Sequence, residues 1–134
     1  MSDYDELAYY TLAHGDPAFI HQHIVDAWAA QTASESAKPI AIAFALAGLY
    51  LHCERKFTGR QVQLAHMKMA QRKREWPKFD LPANRGSMTA ADVLKTEPGP
   101  ERDQAIDRWA AAVWDAFRAN RETIIAMLRQ YDLA

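Results

Sequence analysis

Hydrophobic residues recur every three or four positions along most of the chain, a spacing typical of amphipathic α-helices. The pattern is clearest over residues 100–131, where it predicts one helix of about 30 residues. Trp109, Trp114 and Leu128 widen its apolar stripe, which favours packing across several helices of the same chain. Asn120 inside the stripe leaves open a register role in a dimer. The stripe consists of Ile106, Ala110, Val113, Phe117, Asn120, Ile124, Met127 and Tyr131.

The most apolar stretch, residues 40–53, predicts a buried helix that other helices surround. Pro39 suits its first position, where no hydrogen-bond donor is missed. The stretch is shorter than the roughly 18 to 20 apolar residues needed to cross a bilayer. We therefore expect it at the centre of the fold, and no membrane segment.

Start and stop signals predict four further helices, at about residues 3–13, 16–33, 59–75 and 89–95. Asp16 and Thr58 are residue types that cap a helix start, and Thr89 with Asp92 resembles a capping box. No strand pattern of useful length occurs in the sequence. The sequence thus predicts a single all-α domain over residues 1–134, a bundle of five or six helices with a central apolar helix and a long C-terminal helix.

Composition narrows the class of protein. The 134 residues are 49% hydrophobic and 25% charged with a net charge of -1, which disfavours disorder and a strongly basic nucleic-acid binder. The lone cysteine, Cys53, excludes an intramolecular disulfide and a zinc ribbon, and the apolar run before it favours a core filler. The first residues are acidic, unlike a signal peptide, so we expect a cytoplasmic protein.

Charge is distributed unevenly along the chain. Residues 1–54 carry seven acids and one lysine, whereas residues 55–85 carry nine lysines or arginines and two acids. Cations interleaved with aromatic rings are typical of single-stranded nucleic-acid grooves, although a solvated helix end is the simpler interpretation. The positive charges of this basic segment could equally pair with the negative charges of residues 1–54, within the chain or across a homodimer. Its named members are Lys68, Arg72, Lys73, Arg74, Lys78, Trp76 and Phe79.

The histidines are the main candidates for chemistry, because imidazole binds metals and transfers protons near neutral pH. His23 and Asp26, three residues apart, share one helix face and form half of a plausible divalent-metal site. His52, Glu54 and His66 are candidates for the missing ligands. No HExxH or repeated ExxH occurs, so a core histidine that donates to Asp26 or to a carbonyl is the simpler interpretation. We expect no cofactor, with a divalent metal as the alternative.

An ordered series of short segments lies at residues 23–28, Gln31, and residues 38–50, 57–67, 75–77, 88–94 and 108–114. Together these segments resemble a bacterial family, domain of unknown function 5946. The resemblance extends from about Tyr9 to Leu128, and it implies no activity. This chain has Gln31-Thr32 where many members have Gln-His, and it lacks the N-terminal cysteine pair of some members, so a metal ligand that some relatives could offer is missing.

The matching polar residues lie within apolar segments, where an unpaired polar group would cost about 1 to 3 kcal/mol. We therefore expect them to line a polar pocket between helices, in a non-catalytic protein that binds a small ligand or a protein partner. The first alternative is a divalent-metal hydrolase that uses His23 and Asp26, and the second is single-stranded nucleic-acid binding through residues 55–85. The predicted site residues are His23, Asp26, Gln31, Arg60, Gln61 and His66.

Overall fold

The computed structural model describes residues 2–13, 15–72 and 75–134. Within these ranges the chain folds into seven α-helices and one 3-10 turn without any strand, which confirms the all-α class. The helix count exceeds six because the C-terminal helical segment is interrupted once. The helices are α1 (Asp3–Ala13), α2 (His21–Gln31), α3 (Pro39–Arg55), α4 (Gly59–Gln71), α5 (Ala90–Leu94), α6 (Pro100–Ala116) and α7 (Arg121–Arg129), with the 3-10 turn at Arg118–Asn120.

Helix α3 lies at the centre of the fold, in contact with α2, α4, α6 and α7. Its first turn is exposed at Ile40, but Ala43 and every residue from Ala45 to Leu51 are buried. The expected central position of the apolar helix is therefore confirmed. No helix within the described ranges combines the length and the apolar character needed to cross a bilayer.

One cluster of buried side chains draws on all seven helices. All eight positions of the predicted C-terminal stripe are buried, and all except Asn120 belong to this cluster, as do Trp109, Trp114 and Leu128. The stripe therefore packs within the chain, as its width indicates. Representative members of the cluster, one from each helix in order, are Leu7, Ile24, Leu46, Val62, Val93, Trp109 and Ile124.

The C-terminal stripe is helical along its length but bends at the 3-10 turn between α6 and α7. Asn120 is only 4% exposed, so its amide needs partners inside the protein. Its Nδ2 donates to the Phe117 carbonyl oxygen at 3.2 Å and to that of Asp80 at 2.9 Å, and its Oδ1 accepts from the Asp80 amide at 2.8 Å. Asn120 thus ties the loop at Asp80 to the bend, a contact within the chain.

Helix α2 begins at His21, so the predicted start near residue 16 is wrong. Asp16 does bind free backbone amides, those of Ala18 and Ile20, but it closes a turn. Phe19 follows in the left-handed region with φ of 57°, which a continuous right-handed helix does not allow. The carbonyl oxygen of Phe19 also approaches Gly59 so closely that a Cβ there would lie 1.8 Å away.

The starts predicted at Thr58 and Thr89 are confirmed, because both residues form capping boxes, with Gln61 and Asp92 respectively. Helix α4 ends at Gln71, short of the predicted residue 75. Lys73 and Arg74, which fall in that predicted extension and in the basic segment, lie outside the described residues.

We expect Asn120→Ala to destabilise the protein by about 1 to 3 kcal/mol, because the backbone groups of Asp80 lose their buried partners. Thermal or denaturant unfolding measures the loss, and hydrogen exchange at the Asp80 amide should speed up. Asn84→Ala is the matched control, since the exposed Asn84 accepts only from the nearby Gly86 amide. Equal stability of the two variants would contradict the role of Asn120.

Candidate functional site

A cleft of about 230 Å³ opens where the ends of α2 and α3 meet the start of α4 and the side of α6. A second cleft of about 380 Å³ adjoins it and shares His52, Lys56 and Asp107. We call the first of these the histidine cleft. Its lining consists of Asp16, Ala18, Ile20, His23, His52, Lys56, Phe57, Thr58, Gly59 and Asp107.

His52 is fixed in place through both ring nitrogens. Nδ1 lies 2.9 Å from the carbonyl oxygen of Phe57, and Nε2 lies 3.0 Å from Oδ1 of Asp107. Since a carbonyl and a carboxylate only accept, both contacts are hydrogen bonds when both nitrogens carry a proton. The hydrogen bond from His52 lowers the pKa of the Asp107 carboxyl.

His23 stacks on the ring of His52, with centroids 3.5 Å apart and planes 19° from parallel. The side chain is buried, with 5% of the residue exposed, and burial together with the charge of His52 lowers its pKa to about 3. His23 is thus neutral at physiological pH. No hydrogen bond reaches its ring nitrogens among the described residues, so a buried imidazole with open donor and acceptor capacity lines the cleft.

The cations and anions of the cleft differ in how far they are already paired. The Asp107 carboxylate binds His52, and Asp16 binds the two amides of its own turn. Lys56 ends α3 in the left-handed region with φ of 60°. Its Nζ donates to the Cys53 carbonyl oxygen at 3.3 Å, and within the described residues no carboxylate lies within salt-bridge distance of it. Lys56 is therefore the charge most available to a ligand.

Cys53 borders the adjoining cleft beside His52. Burial raises the pKa of its thiol to about 12, so the sulfur stays protonated at neutral pH. The sequence-based interpretation of Cys53 as a filler agrees with this environment.

Asp26 lies one turn along α2 from His23, in the contact between α2 and α3, and it does not line the histidine cleft. Its Oδ1 accepts from Gln22 at 3.1 Å, whereas its buried Oδ2 has no partner among the described residues. A Cβ on Gly48 of α3 would lie 1.9 Å from that Oδ2, so only glycine fits there. Complete burial raises the pKa of the Asp26 carboxyl well above its ordinary value.

The structure does not bring the six predicted site residues into one pocket. Gln31 is fully engaged, with Nε2 donating to the carbonyl oxygens of Arg85 and Met88 and Oε1 accepting from Trp109 Nε1. His66 contacts the Phe44 carbonyl oxygen at 2.8 Å through Nε2. These two side chains fasten loops and helices together at places remote from the histidine cleft.

Arg60 and Gln61 are exposed on the first turn of α4. Arg60 donates to Gln63, and Gln61 accepts from the Thr58 amide as part of the capping box. Glu54, a metal candidate in the sequence, accepts instead from Trp114 Nε1 at 2.9 Å and from Arg121 Nε at 2.9 Å. Of the predicted site residues, His23 alone lines the histidine cleft.

The geometry does not favour the metal hypothesis. Within the described ranges, no three His, Cys, Asp or Glu side chains form a group that could hold a metal ion. The rings of His23 and His52 lie face to face, so their nitrogen lone pairs cannot converge on one cation. Asp26 is turned toward Gly48, away from both rings.

The aromatic rings of the basic segment are largely committed to the core. Phe79 is 8% exposed, and Trp76 packs against Phe44 and Tyr131. Arg72 donates to the Gln130 carbonyl oxygen. A cleft of about 710 Å³ lies beside Trp76, between residues 75–78 and α7, and none of the predicted site residues lines it.

The sequence pattern marks His52 as a candidate metal ligand, but it marks neither Lys56 nor Asp107 as a site residue. Asp107 lies beside the apolar stripe of α6 at Ile106, and its residue type does not distinguish it from Asp103 or Asp115. Its approach to His52 links positions 55 residues apart, which no local pattern encodes.

A family model described as "Family of unknown function (DUF5946)" matches residues 1–118. No curated protein and no solved structure matches the chain.

We expect Asp26→Asn to gain stability relative to the wild type as the pH rises. The raised pKa of Asp26 stabilises the fold at pH values below its unfolded pKa of about 4, and this stability is lost as the pH climbs toward the folded pKa. Unfolding measured at about pH 4 and about pH 8 should show the free energy of unfolding of the variant rising relative to that of the wild type.

Asp92→Asn is the control of opposite sign, because hydrogen bonds from Thr89 lower the pKa of Asp92. That variant should lose stability relative to the wild type as the pH rises. A wild type and an Asp26→Asn variant with parallel pH profiles would show that the Asp26 carboxyl is not held protonated.

We expect His23→Gln to be less sensitive to acid than the wild type. The folded protein resists protonation of His23 down to about pH 3, whereas the unfolded chain takes up the proton near pH 6.5. The wild type therefore loses stability as the pH falls below about 6.5, and at about pH 5 the variant should have gained about 1 to 2 kcal/mol. Chemical unfolding across this range measures the difference, and an unchanged slope would contradict a neutral, buried His23.

Proposed function

The chain belongs to DUF5946, a family of unknown function, and we propose that it is a small-molecule-binding protein whose site is the histidine cleft. The observation that carries the proposal is His23, which is 5% exposed, neutral and without a hydrogen-bond partner among the described residues. The His23 ring borders the open cleft, so a ligand there can bond to a ring nitrogen that no described protein group occupies.

The charges around His23 favour a ligand with a single negative charge, such as a carboxylate. Asp107 is matched by His52, and Asp16 by backbone amides. Lys56 has a carbonyl oxygen as its partner, so its positive charge remains available. The start of α4 at Thr58 and Gly59 also borders the cleft, and the dipole of a helix favours anions at this end. The amides of Thr58, Arg60 and Gln61 already have protein acceptors, so the helix contributes its dipole and not a set of free donors.

The same arrangement favours binding over covalent catalysis. The thiol nearest to the cleft, that of Cys53, is protonated at neutral pH because burial raises its pKa to about 12. Both ring nitrogens of His52 contact protein acceptors, the Phe57 carbonyl oxygen and the Asp107 carboxylate, so neither is open to a substrate.

Binding of acetate, a small carboxylate, tests the proposed site directly. Titration of the isotope-labelled protein at constant ionic strength should give saturable NMR shifts at the amides of residues 56–59 and at the His23 ring. His23→Phe keeps an aromatic ring on His52 but removes both nitrogens, and it should weaken binding about five- to tenfold, the equivalent of one hydrogen bond.

His66→Phe is the matched control, since it removes an imidazole at a position outside the cleft, and its acetate affinity should equal that of the wild type. Methylammonium chloride is the probe of opposite charge. Shifts that never saturate, equal affinity in His23→Phe, or preferential binding of methylammonium would each overturn the proposed carboxylate site.

A further inference from the structure

Large apolar side chains are exposed at only a few places among the described residues, and most of them lie on two helices. Tyr9 and Leu12 on α1 are 73% and 57% exposed, and Leu64 and Met67 on α4 are each 55% exposed. Each pair is three residues apart, so its members lie side by side on the outer face of the helix. Contiguous exposed apolar groups of this kind are typical of interaction surfaces.

The two outer faces have the same spacing but carry opposite charge. On α1 the order is Asp5, Tyr9 and Leu12, and on α4 it is Arg60, Leu64 and Met67, so a charged residue precedes the apolar pair by four positions in both. A second charge flanks each pair, Glu6 on α1 and Lys68 on α4, and all four charged residues are exposed. We call these surfaces the acidic stripe and the basic stripe.

We propose that the basic stripe on α4 binds the acidic stripe on α1 of a second copy of this chain. Two acidic stripes, or two basic stripes, would place like charges beside each other, which opposes self-pairing of either face. Pairing of unlike stripes brings opposite charges together around the four apolar side chains. Charge thus selects the cross-pairing, and burial of the apolar groups stabilises it.

The contacts that these residues make inside one chain leave the stripes open. Among the described residues, Asp5 accepts hydrogen bonds from Ser2 alone, just before its own helix. Arg60 donates to Gln63 and lies over the Phe19 ring, contacts that leave it exposed. Lys68 has no hydrogen bond or ion pair among the described residues, which keeps its charge available to a partner.

Sedimentation velocity of charge-reversed variants tests the pairing. The wild type should form dimers or larger assemblies that weaken as NaCl rises from about 0.05 M to about 0.5 M, because salt screens the stripes. Asp5→Lys with Glu6→Lys, and separately Arg60→Glu with Lys68→Glu, should each weaken self-association at least about tenfold. An equimolar mixture of these two variants should associate again, because every stripe then meets one of opposite charge.

Exposed charges away from the stripes supply controls with the same change in net charge. Glu35→Lys with Glu97→Lys matches the first variant, and Arg55→Glu with Arg129→Glu matches the second. Both controls should associate as the wild type does. A monomeric wild type, controls as weak as the stripe variants, or a mixture that stays monomeric would each overturn the proposal, whatever the outcome of the acetate titration.

Discussion

The close approach of α2 and α3 is the contact on which both the core and the histidine cleft depend. Gly48 has no side chain, and the Asp26 carboxyl fills the space that a Cβ would need. His23 lies one turn before Asp26 on α2, and His52 lies one turn after Gly48 on α3. The two helices run in opposite directions, so the distance that admits the buried carboxyl also brings the two imidazoles within 3.5 Å of each other.

Burial acts on two ionisable groups at neighbouring levels of this helix contact. It raises the pKa of Asp26 and lowers that of His23, because desolvation disfavours the charged form in both cases. At the end of the contact that borders the cleft, His52 and Asp107 are hydrogen-bonded to each other. The contact therefore passes from buried side chains with shifted pKa values to paired polar groups at the cleft.

Much of the fold follows from local patterns. The buried stripe of α6 and α7, the central position of α3 and the capping boxes at Thr58 and Thr89 each depend on residues within a few positions of one another. The sequence-based errors occur where distant contacts decide. Phe19 adopts a left-handed conformation against Gly59, and the C-terminal helix is interrupted by a 3-10 turn where Asn120 binds Asp80.

The candidate site was predictable in part for the same reason. The burial of His23 and Asp26 follows from helix periodicity, and both are buried. Their different surroundings depend on what α3 and α6 place opposite them, which a single sequence does not encode. Other polar side chains that the sequence offered as site candidates have structural roles instead. Each of them holds two parts of the backbone or core together, as Gln31, Gln61 and Glu54 do.

Lys56 carries a conformational cost that bears on how this protein family changes over time. A left-handed backbone costs a lysine roughly 1 kcal/mol that a glycine would not incur. Selection for folding alone would accordingly replace this lysine with glycine, or with asparagine. In the proposed site, that replacement would also remove the positive charge offered to an anion, so a more stable turn would come at the expense of ligand binding.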